Sequence, residues 1–165
     1  MSDTALSLLM AGAFASIAGA IWLWRRDGTQ VDLQTLGGTS SQAFGVNDAL
    51  VVVGVSDRRV LPPVAFAWTA NAGMRDLGFG SGSQALAINS QGRIAGLQVV
   101  NAGVLGLTRT LRTPVQVLPD VAPGKPAVSG PTGTNACGDF VGSSSSPDPT
   151  NGNPVPARWT KTNCD

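Results

Sequence analysis

The stretch from Ala65 to Gly96, AFAWTANAGMRDLGFGSGSQALAINSQGRIAG, decides the fold, because the rest of the chain lies against it as closer or weaker copies. Phe66 and Trp68 alternate with Ala65 and Ala67, so a pleated strand puts both large rings on one face. Gly73 makes a turn before Met74 to Leu77, and a Gly/Ser loop, Gly78 to Ser83, leads into Ala85 to Ile88. Asn89-Ser90-Gln91-Gly92 then supplies Asn and Gly where a tight hairpin needs positive φ, and Arg93 to Gly96 returns antiparallel. Four short strands separated by turns are predicted for the unit.

Spacing finds the other copies. Trp24 precedes Asp32 by eight residues, as Trp68 precedes Asp76. Asn47 precedes Gly54 by seven, as Asn89 precedes Gly96 and Asn135 precedes Gly142. The period is 44 residues from Trp24 to Trp68, 42 from Asn47 to Asn89 and 46 from Asn89 to Asn135, within the range of four-stranded propeller blades. The predicted units are 20–56, 64–97 and 104–144, with a partial one at 155–165 that opens on Ala157-Arg158-Trp159. The predicted class is all-β, a propeller-like array of four-stranded antiparallel units that is incomplete, preceded by an N-terminal apolar helix.

The copies differ in instructive places. Gly92 and Gly138 hold equivalent positions in two of the hairpin turns, where the first copy has Leu50, which either strains that turn or changes its type. The third copy opens on Leu105, Leu107 and Leu111 with no Trp, and five prolines between Pro114 and Pro131 predict an irregular 113–133 with one edge strand at 115–118. The Ser/Pro/Asn run 143–154 reads as a surface loop.

Composition supports the all-β reading. Ten Asp with no Glu, two Lys, and 32 Gly and Pro leave few strong helix formers. Residues Ala5 to Ala20 carry no charge, and the apolar run ends at Arg25-Arg26. Three readings of it stand: a signal peptide with small-residue cleavage patterns at Ala13 to Ala15 or Ala18 to Ala20, a membrane anchor over residues 5–24, or a buried helix or mis-assigned start codon. Cleavage after Ala15 is preferred, because it spares the strand at Ala20 to Trp24, which is in register with Val64 to Trp68. The domain reading is therefore a signal-like segment, 1–19, and a β-repeat domain, 20–165, placed outside the cell or in the periplasm, or else held at the membrane by the uncleaved segment.

Alternating Ala, Phe and Trp, then Asp-Leu-Gly, a Gly/Ser loop and Ala-x-x-Ile-Asn with Gly together resemble the HAF family of extracellular repeats. The matching residues are Ala65, Phe66, Trp68, Met74, Asp76, Leu77, Gly78, Ala85, Ala87, Ile88, Asn89, Gly92 and Gly96, and Leu36 to Ser41 resembles the family's Gly-Gly-Ser loop. The usual His of the opening strand is missing, with Val64 in its place. The resemblance implies export and a propeller-like stack of β-units, and it carries no activity to transfer.

Several chemistries are excluded or weak. With no His in the chain, Ser-His-Asp and Cys-His arrangements cannot form. A net charge of +1 with only Arg25-Arg26 and Arg58-Arg59 adjacent argues against a nucleic-acid surface. No calcium-loop or phosphate-loop pattern is present, so no metal and no cofactor is expected. Paired Asp could serve a glycosidase, but Asp32 and Asp76 obey the repeat, which favours a strand-end hydrogen bond over catalysis. Trp22, Trp24, Phe66, Trp68 and Trp159 could stack sugars if exposed; core packing is the favoured reading. Cys137 and Cys164 are compatible with one disulfide on export or with two thiols.

No catalytic residues are assigned. The structural positions expected are Trp24, Asp32, Asn47, Gly54, Trp68, Asp76, Asn89, Gly92, Gly96, Asn135, Gly138, Gly142 and Trp159. The function expected is an exported, non-enzymatic module acting as scaffold or binding surface for an unknown ligand. The competing readings are a glycan-directed protein and a fragment of a longer propeller. An open stack would leave strand edges exposed, so self-association is the expected protein contact.

Overall fold

In a computed structural model the described residues are 21–101, 103–119, 130–145 and 153–160. They form thirteen strands and no helix: β1 (Trp22–Trp24), β2 (Gln30–Asp32), β3 (Gly37–Val46), β4 (Val52–Arg58), β5 (Val64–Thr69), β6 (Gly73–Asp76), β7 (Ser83–Ile88), β8 (Ile94–Val100), β9 (Gly103–Arg109), β10 (Gln116–Val117), β11 (Gly130–Thr134), β12 (Phe140–Ser144) and β13 (Val155–Trp159). The chain is all-β, built of four small antiparallel sheets: β1-β2, β3-β4-β5-β6, β7-β8-β9-β10 and β11-β12-β13, each in chain order. The segment 1–19 expected to be signal-like or helical lies outside the described residues.

The four strands predicted within Ala65 to Gly96 are present as β5 to β8, but they belong to two sheets. β5 and β6 close the second sheet, while β7 and β8 open the third. The sequence repeat is thus offset by two strands from the folded unit, and every repeat straddles a seam between sheets. The reason is physical: the strongest sequence signals are the aromatic third strand and the Asn hairpin, and the Gly/Ser loop between them is the crossover from one sheet to the next.

Pairing fixes the equivalences between copies. Trp22 pairs Asp32 as Phe66 pairs Asp76 and as Leu107 pairs Val117. Trp68 pairs Val52 as Arg109 pairs Ile94 and as Trp159 pairs Phe140. The Trp missing from the third copy is therefore replaced by Arg109, and β9 ends there. Leu111, expected in that strand, is instead exposed in the turn beyond it. Also unforeseen is β11, Gly-Pro-Thr-Gly-Thr, inside the stretch expected to be irregular. It is an edge strand whose register shifts between Pro131 and Gly133, and such a bulged edge tolerates proline. The edge strand expected at 115–118 is present as β10.

Three buried clusters lie between successive sheets. Ile21, Leu23 and Leu33 meet Ala43, Val52, Phe66 and Trp68. Val53, Ala65 and Ala67 meet Ala85, Ile94 and Leu107, with Leu77 and Phe79. Ala95 and Leu118 meet Phe140 and Trp159. Alternation along β5 serves two seams at once, because Phe66 and Trp68 face backward while Ala65 and Ala67 face forward. Each inner sheet is buried on both faces.

The expectation of core packing holds for Phe66, Trp68 and Trp159, which are 0%, 5% and 9% exposed. It fails for Trp22, 39% exposed. Trp22 stands where Phe66 stands one copy later, on the backward face of the first sheet, and no described sheet precedes it.

Candidate functional site

Each repeated polar residue has a structural task. In all three hairpins the Asn carbonyl accepts from the residue three positions on: Leu50 at 2.9 Å, Gly92 at 2.9 Å and Gly138 at 3.0 Å. Its side-chain Oδ1 accepts from the backbone N–H four positions on: Val51 at 3.0 Å, Arg93 at 2.8 Å and Asp139 at 2.9 Å. The Nδ2 groups then link the sheets. Asn47 donates to the Asn89 carbonyl at 3.1 Å, and Asn89 donates to the Asn135 carbonyl at 2.9 Å. Asn47 and Asn89 are buried, whereas Asn135 is exposed and turns its Nδ2 to Asp139. An amide is needed at this place because it must accept within its own turn and donate to the next.

Leu50 keeps the turn geometry and takes the strain. Its φ of 56° matches the 77° of Gly92 and 84° of Gly138, so the turn type is unchanged and a branched side chain occupies the left-handed region.

Gly54, Gly96 and Gly142 are required by close approach. A Cβ on each would stand 2.0, 2.2 and 2.1 Å from the carbonyl oxygens of Gln42, Gln84 and Gly130. Each glycine pairs with the residue at which the neighbouring strand's register shifts: Ala43, Ala85 and Pro131. The bulge brings backbone onto backbone, which is one reason glycine enters a strand.

Asp32 and Asp76 fix strand ends, accepting at Oδ1 from the backbone N–H of Gln34 at 2.8 Å and Gly78 at 2.7 Å. Gln34 and Gly78 are both left-handed, with φ of 62° and 71°. The residue between, Leu33 or Leu77, is buried, and its N–H donates 2.9 Å to the Ile21 or Ala65 carbonyl. In the third copy Leu118 does the same to Gly106 at 2.8 Å, with Val117 in place of the Asp. The leucine is thus the more persistent anchor, and only the strand register exposes this third instance.

Arg58, one of the two adjacent arginine pairs, donates to the Pro62 carbonyl at 3.0 and 3.1 Å and to the Ser81 hydroxyl at 2.9 Å, tying down the loop 59–63. Arg25-Arg26, the other pair, sits in a turn closed by Gly28 N–H on the Arg25 carbonyl. Cys137 is in a disulfide, and Cys164 lies outside the described residues. Among the described residues no three Cys, Asp or Glu side chains are grouped to hold a metal ion. Trp22–Trp24 are strand, so the last residues of the proposed membrane span 5–24 are committed to a sheet.

An open cavity of about 460 Å³ lies at the seam between the third and fourth sheets. Arg93 enters it just before β8, Leu118 and Pro119 just after β10, Gly138 and Phe140 around the start of β12, and Arg158, Trp159 and Thr160 from the end of β13. The Trp159 indole N–H donates to the Pro119 carbonyl at 2.7 Å, which pins the ring as a wall. Arg93 lies over the Phe140 ring, 5.3 Å from its centroid, a cation–π contact. Arg158 holds Asp139 at 2.9 Å and is 65% exposed at its side chain. Trp159 and Gly138 stand at positions marked by the repeat, whereas Arg93 and Phe140 carry no such mark and are brought together only by the packing of two sheets.

Comparison with protein-family models gave no match. Comparison with curated proteins gave none. Among solved structures, the acylaminoacyl peptidase of Pyrococcus horikoshii, in its orthorhombic crystal form, is similar over 93% of this chain and 23% of its own, with a TM-score of 0.58 and 10% identity. The chain therefore spans under a quarter of that protein's length, and at such identity the likeness is one of fold.

Proposed function

We propose that the chain is an exported, non-enzymatic, propeller-like β-repeat module of the HAF type, serving as a scaffold or binding surface. The observation that carries this reading is that the repeated Asn, Gly and Asp residues are occupied in turns, bulges and links between sheets. The propeller-like arrangement is supported by consecutive four-stranded meanders with a buried cluster at each seam, and by the likeness of fold to part of a longer chain. The aromatic backward face at Trp22 supports a stack that continues, through more units or a second copy.

Export is tested by the mass of the mature N-terminus after cell fractionation. A start near Ser16 or Ile21 in secreted material is expected; an intact Met1 in the soluble cytoplasm overturns export. The non-enzymatic reading is tested on panels of glycoside and peptide substrates. Turnover that disappears in Asp32→Asn or Asp76→Asn, with the fold retained, would overturn it.

A further inference from the structure

We propose that the cavity between the third and fourth sheets binds a small monocarboxylate carried on a ring, with Arg93 as its main anchor and Arg158 as the second cation. This deepens the binding-surface reading and rests on it. The volume of about 460 Å³ falls in the range of small-molecule pockets, roughly 300–1,000 Å³.

The site departs from the repeat where the rest of the chain obeys it. The position of Arg93, four residues after the hairpin Asn, is Val51 in the preceding copy, where it packs on the cluster between the second and third sheets. The position of Arg158 is held by Ala67 and Thr108 in the two earlier sheets, both buried. At the second seam Arg109 takes the place that Trp159 takes at the third, and its guanidinium donates to the Leu77 carbonyl. Val51 and Arg109 stand at that seam, whereas Arg93 and Arg158 line the opening at the next.

Arg93 is half-buried, and its guanidinium has no hydrogen-bond acceptor among the described residues. Five N–H donors in a planar fork, backed by an aromatic ring, match a carboxylate in two parallel bonds. Gly138 makes room, since a Cβ there would come within 3.0 Å of Arg93 Cδ. Arg158 already holds Asp139, so among the described lining residues Arg93 is the cation that faces a carboxylate directly, with Arg158 adding to the positive field. Leu118, Pro119, Phe140 and Trp159 supply apolar walls for the ring that bears the carboxylate.

The test is amide and indole NMR on the full chain titrated with sodium glucuronate and sodium benzoate, with glucose as the uncharged control. Saturable shifts of the Trp159 indole N–H and the Gly138 amide are expected with a Kd below about 1 mM for at least one carboxylate, and none for glucose. Arg93→Gln is expected to weaken binding about tenfold or more, Arg93→Lys less, and Arg158→Gln a few-fold, with unfolding curves showing that each variant is folded. Trp22→Ala, remote from this seam, should bind as the parent does. Absence of saturable shifts, equal response to glucose, binding unaffected by Arg93→Gln, or tighter binding of inorganic phosphate would each overturn the proposal. Any of these outcomes with export intact removes this site and leaves the scaffold reading to its own test.

Discussion

Asn89 sits at the centre of the inter-sheet ladder, and replacing it by Ala tests the account of the fold directly. The change removes the 2.8 Å acceptor of Arg93 N–H and the 2.9 Å donor to the Asn135 carbonyl. Each bond contributes about 1 kcal/mol net, and an orphaned, half-buried N–H costs roughly 1–3 kcal/mol more. The Asn135 carbonyl keeps Gly138 as a donor, so its loss is partial. The sum is about 3 kcal/mol, which in a domain of this size lowers Tm by roughly 6–12 °C. Asn135→Ala is the internal control. It breaks the same turn bond at Asp139, but its Nδ2 joins no further sheet and the residue is exposed, so about 1 kcal/mol is expected. Asn89→Asp separates the two tasks, keeping the acceptor for Arg93 and losing the donor to Asn135. The assay is urea unfolding followed by far-UV circular dichroism, with m checked for constancy so that midpoints report stability. Equal costs at Asn89 and Asn135, or an Asn89→Asp variant as stable as the parent, would refute the ladder as a link between sheets.

Other outcomes follow from the same geometry. Leu50→Gly relieves a left-handed φ of 56° and should raise stability by about 0.5–1 kcal/mol in the same urea series. Gly96→Ala forces a Cβ to 2.2 Å from the Gln84 carbonyl oxygen and 2.7 Å from the Phe79 ring, and should cost about 3 kcal/mol or more in the same titration. Thr108→Val removes a buried hydroxyl with no hydrogen-bond partner and should stabilise by about 1 kcal/mol in thermal melts. The Thr29 hydroxyl and then its backbone N–H, both donating to Asp27, hold that carboxyl below its ordinary pKa. A depressed folded pKa makes the contribution of Asp27 present above the unfolded value and lost as pH falls through the folded one. An NMR titration of the Asp27 carboxyl should show the low midpoint, rising in Thr29→Val.

Spacing alone located most of the strands and the three hairpin turns, because local backbone demands leave local marks. Asn and Gly at a fixed separation record a turn and the bulge opposite it, and alternating Phe66 and Trp68 record one pleated face. These requirements recur in every copy and so survive as a period in the chain. Sheet membership left no such mark: a Gly/Ser loop reads the same whether it joins strands of one sheet or crosses to the next, and the repeat was accordingly cut two strands away from the fold. Arg109 as the counterpart of Trp68 and Trp159, and β11 among its prolines, are identified only by the strands they pair with. The role of the Asn ladder, the exposure of Trp22 and the convergence of Arg93 with Phe140 and Trp159 depend on contacts between residues some 40 or more apart in the chain. Such contacts exist only once the sheets stack, and the side chains that make them carry no local conformational signature by which the sequence could declare them.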